Sequence, residues 1–194
     1  NGRTKDGNDA TDQGIIKMLG ISKREDKIKA LSELNIVPLS ISYEWETCDY
    51  MKALELYQSR SEKYVKKRGE DLSSILSGIT SFKGDVHLTF CPMITEQDLM
   101  AYDSLPGIEY NREVAKLMDR RIHAGYRLTP NNFIAHDIRF GKHEFKGDRY
   151  TDEQKDRFLH HLKKLEKYDV DEPEVLMDIF LGIYSNPVDN CLER

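Results

Sequence analysis

Apolar residues recur three or four positions apart along most of the chain, which is the spacing of an amphipathic helix. Aspartate or threonine before such a run and glycine after it indicate helix ends, as at Asp12 and Gly20. The pattern predicts helices over residues 12–19, 25–34, 49–60, 71–81, 96–102, 109–124, 152–168 and 174–183.

Two short segments follow a different pattern. Residues 36–41 form a short run of β-branched and aliphatic side chains, and residues 86–94 alternate between apolar and polar positions. Both predict strands, with Pro38 marking a strand start or a bulge because proline cannot donate a ladder hydrogen bond. Residues 127–146, which include Pro130, are predicted to be a loop with at most one short strand or turn. Helices alternating with a few strands indicate the α/β class.

Composition narrows the possible functions. The chain has 194 residues with 39% hydrophobic and 32% charged side chains, which is typical of a folded, soluble domain and not of a disordered one. No run approaches the roughly 20 apolar residues that cross a bilayer. Three cysteines without metal-ligand spacing favour a reducing, cytosolic environment.

Charge is unevenly distributed along the chain. Residues 151–194 carry 6 basic and 11 acidic residues, which accounts for the whole net charge of -5. The acidic balance argues against a general nucleic-acid binder. The balanced front part remains free to bind an anion.

The best candidate site is the loop GRTKDG, which ends at Gly7. Arg3 offers a bidentate guanidinium, Thr4 a hydroxyl donor and Lys5 a point charge. Gly2 lets backbone N–H groups approach a ligand closely. These groups together suit a phosphate, and a solvated surface turn is the alternative.

Other histidines and acids are explained without a site. His143 and Asp148 fit the spacing HxxxxD, but a chance match in a charged loop is the favoured explanation. His136 and Asp137 are adjacent in a segment that could be a strand, so we expect a solvated pair. The basic residues within 160–164 are expected on a solvated helix face, with contact to anionic headgroups as the alternative.

The order of segments resembles that of a known family. Gly2-Arg3-Thr4 comes first, and Ile36-Val37-Pro38-Leu39 follows after one or two helices. This order is similar to that of the glycerol phosphate acyltransferase superfamily of the lysophosphatidate acyltransferase type. Its Glu-Gly-Thr-Arg-Ser motif contacts the acceptor and precedes a Val-Pro motif. The resemblance to a bacterial branch extends over essentially the whole chain, through the segments GRTKDGNDAT, VPLSISYEWETCDYMKA, FKGDVHLTF and YSNPVDN.

The resemblance implies a fold and an activity. The fold would be α/β, the remainder of a glycerol phosphate acyltransferase-like mixed sheet flanked by helices. Residues 1–105 would belong to the acyltransferase core, and residues 106–194 would form a mainly helical C-terminal extension packed on it. The activity, part of phospholipid biosynthesis, would move a fatty acyl group to the hydroxyl of glycerol phosphate or a lysophospholipid. The donor would be acyl-CoA or an acyl carrier protein thioester, with no metal and no bound cofactor.

The resemblance also implies roles for single residues. The acceptor phosphate would be bound by four residues of the loop: Gly2, Arg3, Thr4 and Lys5. Val37 and Pro38 would lie near the acyl and acceptor site. The protein would be cytoplasmic and peripheral at the inner face of the membrane, where the basic run 63–68 offers contact with an anionic surface.

Two departures from the family limit what the resemblance implies. Asn1 stands where the family has glutamate, and the threonine of the motif is absent, so no role is carried over to Asn1. The family's catalytic HxxxxD motif, whose histidine acts as general base on the acceptor hydroxyl, belongs upstream of the arginine motif. We therefore expect this chain to be the C-terminal part of an acyltransferase and inactive alone. The alternative is a non-catalytic module that binds phosphate-bearing ligands, or a partner protein through its helical tail.

Overall fold

The computed structural model describes residues 7–8, 10–23, 25–61 and 68–192. The elements are the helices α1 Gln13–Leu19, α2 Lys27–Ser32, α3 Asp49–Gln58, α4 Glu70–Thr80, α5 Glu96–Met100, α6 Gly107–Ala124, α7 Pro130–Arg139, α8 Asp152–Leu162 and α9 Pro173–Leu192, the 3₁₀ helices η1 Gly20–Lys23 and η2 Lys163–Lys167, and the strands β1 Leu39–Tyr43 and β2 Val86–Phe90. The chain is a mixed α/β protein, 60% helical, with a small two-stranded antiparallel sheet. The predicted α/β class is thus confirmed as a coarse description. The larger mixed sheet of an acyltransferase stays a prediction.

The segment predicted to be a loop contains helix α7, so that prediction is wrong. Pro130 lies in the first turn, where backbone N–H groups have no acceptor within the helix. The missing N–H of proline therefore removes no hydrogen bond there. Asn132 Oδ1 accepts hydrogen bonds from Thr129 N (2.7 Å) and Thr129 Oγ1 (3.0 Å), which stabilises the start of the helix. The proline and asparagines that indicated a loop therefore form a helix start, and residues 131–137 are all buried.

Helix α9 continues past its predicted end at residue 183, through Pro187 to Leu192. A proline inside a helix cannot donate to the carbonyl four residues earlier, here that of Ile183. The helix persists because residues on both sides of the proline, including Tyr184 and Val188, are buried. Its packing against α7 and α3 outweighs the lost hydrogen bond.

The described residues form two compact units. The first unit comprises residues 10–23, 25–41 and 88–126, and the second comprises residues 7–8, 42–61, 68–87 and 127–192. The predicted boundary at residue 105 separates an acyltransferase core from an extension, and that division stays a prediction.

In the first unit, α1 packs against α6 and α2 packs against α5. Ile16, Leu31, Leu99 and Val114 are each at most 1% exposed and form the centre of its core. Fully burying an aliphatic side chain of this kind contributes about 1.5–3 kcal/mol. The apolar residues that predicted these helices are thus the ones that are buried in the core.

In the second unit, α9 packs against both α7 and α3 and contributes more buried core residues than any other element. The ring of Tyr184 contacts the rings of Phe158 and Phe180 at centroid distances of 5.3 and 5.5 Å. Aromatic pairs at this range add to the free energy of burial. This aromatic core supports the polar residues described below.

Asn132→Ala should lower the free energy of unfolding by about 2–3 kcal/mol, because it removes the acceptor of Thr129 and the donor to Tyr184 O (2.8 Å) in a buried place. Urea denaturation measures the change. Asn111→Ala, on the side of α6, is the matched control and should stay within about 0.5 kcal/mol. Equal losses for the two variants would contradict this role of Asn132.

Candidate functional site

The predicted phosphate-binding residues Gly2, Arg3, Thr4 and Lys5 lie outside the described residues, as does the basic run 63–68 except for Arg68. Gly7, the last residue of the loop, is described and contacts helix α9. Its φ is +77°, a conformation that favours glycine. Asn190 Nδ2 donates a hydrogen bond to Gly7 O at 3.0 Å.

The space around Gly7 leaves no room for a side chain. A Cβ at this position would lie 2.9 Å from Pro187 Cδ and 3.3 Å from Ile183 O. Gly7 belongs to the segment GRTKDG, and its partners Pro187 and Asn190 belong to the segment YSNPVDN, both of which the sequence analysis singled out. The end of the candidate loop is therefore held by α9 at the proline inside that helix.

Val37 and Pro38 lie immediately before β1, so of the two predicted alternatives, a strand start or a bulge, Pro38 marks the strand start. Pro38 is buried, and its carbonyl oxygen accepts a hydrogen bond from Cys91 N at 2.9 Å. Val37 is 42% exposed. The proline thus starts the strand at a position where its backbone acts only as an acceptor.

The sheet exposes its apolar face. In the first unit the register places Leu39 opposite Phe90 and Ile41 opposite Leu88, and these four side chains are 48–73% exposed. Antiparallel sheets usually direct the apolar face to the core and the polar face to water. A contiguous apolar face of this kind is typical of a surface that another part of a protein covers.

The opposite face of the sheet is polar and lies against helix α6. Ser40 is 2% exposed, and Thr89 Oγ1 donates to Gly125 O at 2.9 Å. A Cβ on Gly125 would lie 2.9 Å from both Cys91 Sγ and Ser40 Cβ, so only glycine allows the helix end to approach the sheet this closely. Small and polar side chains are therefore a packing requirement on this face.

A buried carboxylate in the second unit was not predicted as functional. Asp49, at the first position of α3, is 5% exposed and accepts hydrogen bonds from Tyr184 Oη (2.7 Å) and Tyr50 N (2.8 Å). His161 Nε2 lies 2.7 Å from Asp49 Oδ2. With the carboxylate as acceptor, this contact fits the His161 tautomer in which Nε2 donates.

The environment of Asp49 keeps the neighbouring phenols protonated. Burial raises the pKa of Tyr184 well above its usual range, and the Asp49 carboxylate raises it further. Burial, and then Asp49 and Tyr168, raise the pKa of Tyr50 in the same direction. Tyr184 therefore remains a donor to Asp49, which orients the imidazole of His161. More than 100 residues separate Asp49 from His161 and Tyr184, so no local pattern indicated this site.

The two histidine–aspartate pairs noted in the sequence lie in different environments. His136 and Asp137 are 5% and 2% exposed on helix α7, so the prediction of a solvated pair is wrong. Asp137 accepts from Tyr150 Oη at 2.7 Å and from two backbone N–H groups of the following loop. His143 and Asp148 are both exposed in that loop, where Asp148 pairs with Arg149 at 3.0 Å.

Within the described residues, no helix combines the length and apolarity that crossing a membrane takes. The same part of the chain contains no group of three or more histidine, cysteine, aspartate or glutamate side chains that could hold a metal ion. Comparisons with protein-family models, curated proteins and solved structures found no match to this chain.

Tyr184→Phe should lower the free energy of unfolding most at neutral pH, and its effect should shrink as the pH rises. A pKa raised by folding gives a stabilisation that is complete below the unfolded-state pKa of about 10 and is lost as the pH rises further. Urea denaturation between about pH 8 and pH 11 measures the difference between the variant and the parent. A difference that stays constant over this range would contradict the assignment.

Proposed function

We propose that this chain is the C-terminal part of an acyltransferase that moves a fatty acyl group from a thioester to the hydroxyl of glycerol phosphate or a lysophospholipid. The proposal rests on the resemblance of its segments to that superfamily. The structural observation that carries it is the contact of Gly7 with Pro187 and Asn190. This contact joins two segments of the resemblance, GRTKDG and YSNPVDN, which are far apart in the sequence.

The loop would bind the phosphate of the acceptor. The Arg3 guanidinium can donate two parallel hydrogen bonds to phosphate oxygens, and Thr4, Lys5 and the Gly2 backbone add further donors. The contact with α9 fixes the position of Gly7, so this residue need not be ordered when a ligand binds, which lowers the entropic cost of binding.

The chemical step would use the upstream HxxxxD motif of the family. Its histidine takes the proton of the acceptor hydroxyl, and the oxygen attacks the thioester carbonyl. The C–O ester bond forms, the C–S bond breaks, and the proton passes to the departing thiolate. No metal or bound cofactor takes part, because the thioester is itself a substrate.

The exposed apolar face of the sheet supports a larger acyltransferase core. An isolated pair of strands is only marginally stable in water, and this pair turns apolar side chains outwards. We propose that the upstream core covers Leu39, Ile41, Leu88 and Phe90. Val37, at the edge of the same face, would then lie beside the acyl and acceptor site.

Arg3→Ala in the full-length protein should raise the acceptor KM by roughly 10- to 100-fold, because it removes a bidentate, charge-assisted contact. Steady-state kinetics with varied acceptor measure the change. Arg112→Ala removes the same charge from a half-exposed side chain that pairs with Glu113, and it should stay within about twofold. An unchanged acceptor KM in Arg3→Ala would overturn the site, and binding of acceptor without any acyl transfer by the parent would favour the non-catalytic alternative.

Gly7→Ala should raise the acceptor KM several-fold, because its Cβ would press on Pro187 and displace the loop. Gly147→Ala is the matched control, since Gly147 has a φ of +85° and no atom within 4 Å of a Cβ. The free energy of unfolding should fall by about 1 kcal/mol in both variants, because alanine is less favourable than glycine in a left-handed conformation. The same kinetic assay applies, and equal KM values for the two variants would contradict the role of Gly7.

A further inference from the structure

A cavity of about 650 Å³ lies in the second unit, and its lining includes neither Gly7 nor the apolar residues of the sheet face. Its walls come from the segment before and at the start of α3, from the end of α4, and from α8 with η2. The size falls within the range of small-molecule sites, about 300–1,000 Å³. One side is aromatic, with Trp45, Phe82 and Tyr168 in the wall.

Basic side chains also line the cavity, and the ammonium of Lys167 lies 4.8 Å from the ring centroid of Tyr168. Arg157, His160, Lys164 and Lys167 line the cavity from α8 and η2, at intervals of three or four residues that place them on one side of the helices. Like charges at this spacing repel one another. These side chains are exposed to water, and an anion bound between them would relieve their repulsion.

Acidic residues do not neutralise this charge. Among the described residues, none of the acidic side chains of α8 and η2 lines the cavity; these are Asp152, Glu153, Asp156 and Glu166. Arg157 and Lys164 have no carboxylate partner among the described residues. The ammonium of Lys167 lies 5.2 Å from the ring centroid of Tyr50.

The two acids that do line the cavity are already engaged. Glu46 pairs with Lys52, and Asp49 is hydrogen-bonded to Tyr184 and His161. Three cations thus remain uncompensated in a concave site with partly apolar walls, which concentrates the positive potential there.

Two further features of the wall point to a ligand. Ser81 Oγ is buried and has no hydrogen-bond partner within the described residues, so it is available as a donor. Cys48 has a φ of +59°, a left-handed conformation that is unusual for a residue other than glycine and is found more often at functional sites.

We propose that this cavity binds a phosphomonoester. Arg157, Lys164 and Lys167 bind the phosphate, whose charge of nearly two negative units at neutral pH matches them better than a carboxylate would. Ser81 donates to a phosphate oxygen. The carbon portion of the ligand lies against Trp45. The site uses none of the residues of the Gly2–Gly7 loop and does not depend on the acyltransferase proposal.

Trp45 is the single tryptophan of the chain, so its fluorescence reports on this cavity. Phenyl phosphate is the probe, titrated up to about 10 mM with calorimetry and Trp45 fluorescence followed together. We expect saturable binding in both signals, weakened by added salt. No saturable binding, or heat of binding without a change at Trp45, would overturn the proposal.

Variants test which cations bind the phosphate. Arg157→Gln and Lys164→Gln should each weaken binding about tenfold or more, as expected for loss of a charge-assisted contact. Lys163→Gln is the matched control, because Lys163 adjoins Lys164 but does not line this cavity. Lys164→Arg should retain binding, and thermal unfolding checks that every variant is folded. An equal effect of Lys163→Gln would overturn the site.

Two more probes distinguish the sources of the phosphate. Glycerol 3-phosphate lacks the ring, so it should bind at the same residues but more weakly than phenyl phosphate. Phosphatidylcholine vesicles with and without phosphatidate test a lipid headgroup as the source, with the Lys164→Gln variant as reference. Binding to phosphatidate vesicles alone, with no response to either soluble phosphate, would show a membrane surface instead of the proposed cavity.

Discussion

The second unit depends on the buried carboxylate of Asp49. A charge at that depth is tolerated only where hydrogen bonds replace its water, and here they come from Tyr50 N, Tyr184 Oη and His161 Nε2. These donors lie on α3, α9 and α8, so one carboxylate ties three helices together. Asp49 also lines the cavity, and its contact with His161 sets the position of the basic side of α8. The packing of the unit and the shape of its candidate ligand site therefore share one interaction.

The part of the sheet that belongs to the first unit shows a different constraint. Its polar face is buried because the end of α6 approaches it closely at Gly125, where only small side chains fit. Leu39, Ile41, Leu88 and Phe90 are left on the outer face. The hydrophobic effect favours covering such a face. The proposed upstream core would provide that cover.

Local patterns predicted most elements well, since helix periodicity and end signals act over a few residues. The Asp12 side chain accepts from Gly14 N at the start of α1, and Pro38 precedes β1 as proposed. Helix α7 was missed because Pro130 and Asn132 are typical of loops as well as of helix starts, and only burial of the following residues decides between them. The buried pair of His136 and Asp137 was missed for the same reason.

Residue type and short spacing were enough to predict the α/β class and a strand start or bulge at Pro38, and they indicate which donor groups the Gly2–Lys5 loop would offer a phosphate. Only the tertiary structure decided that Gly7 lies against Pro187, that Asp49 meets His161, and that the cations of an acidic C-terminal segment line one cavity. Those contacts join residues far apart in the chain. They form because burying apolar area brings the helices together, and each polar group carried inside must then find a partner.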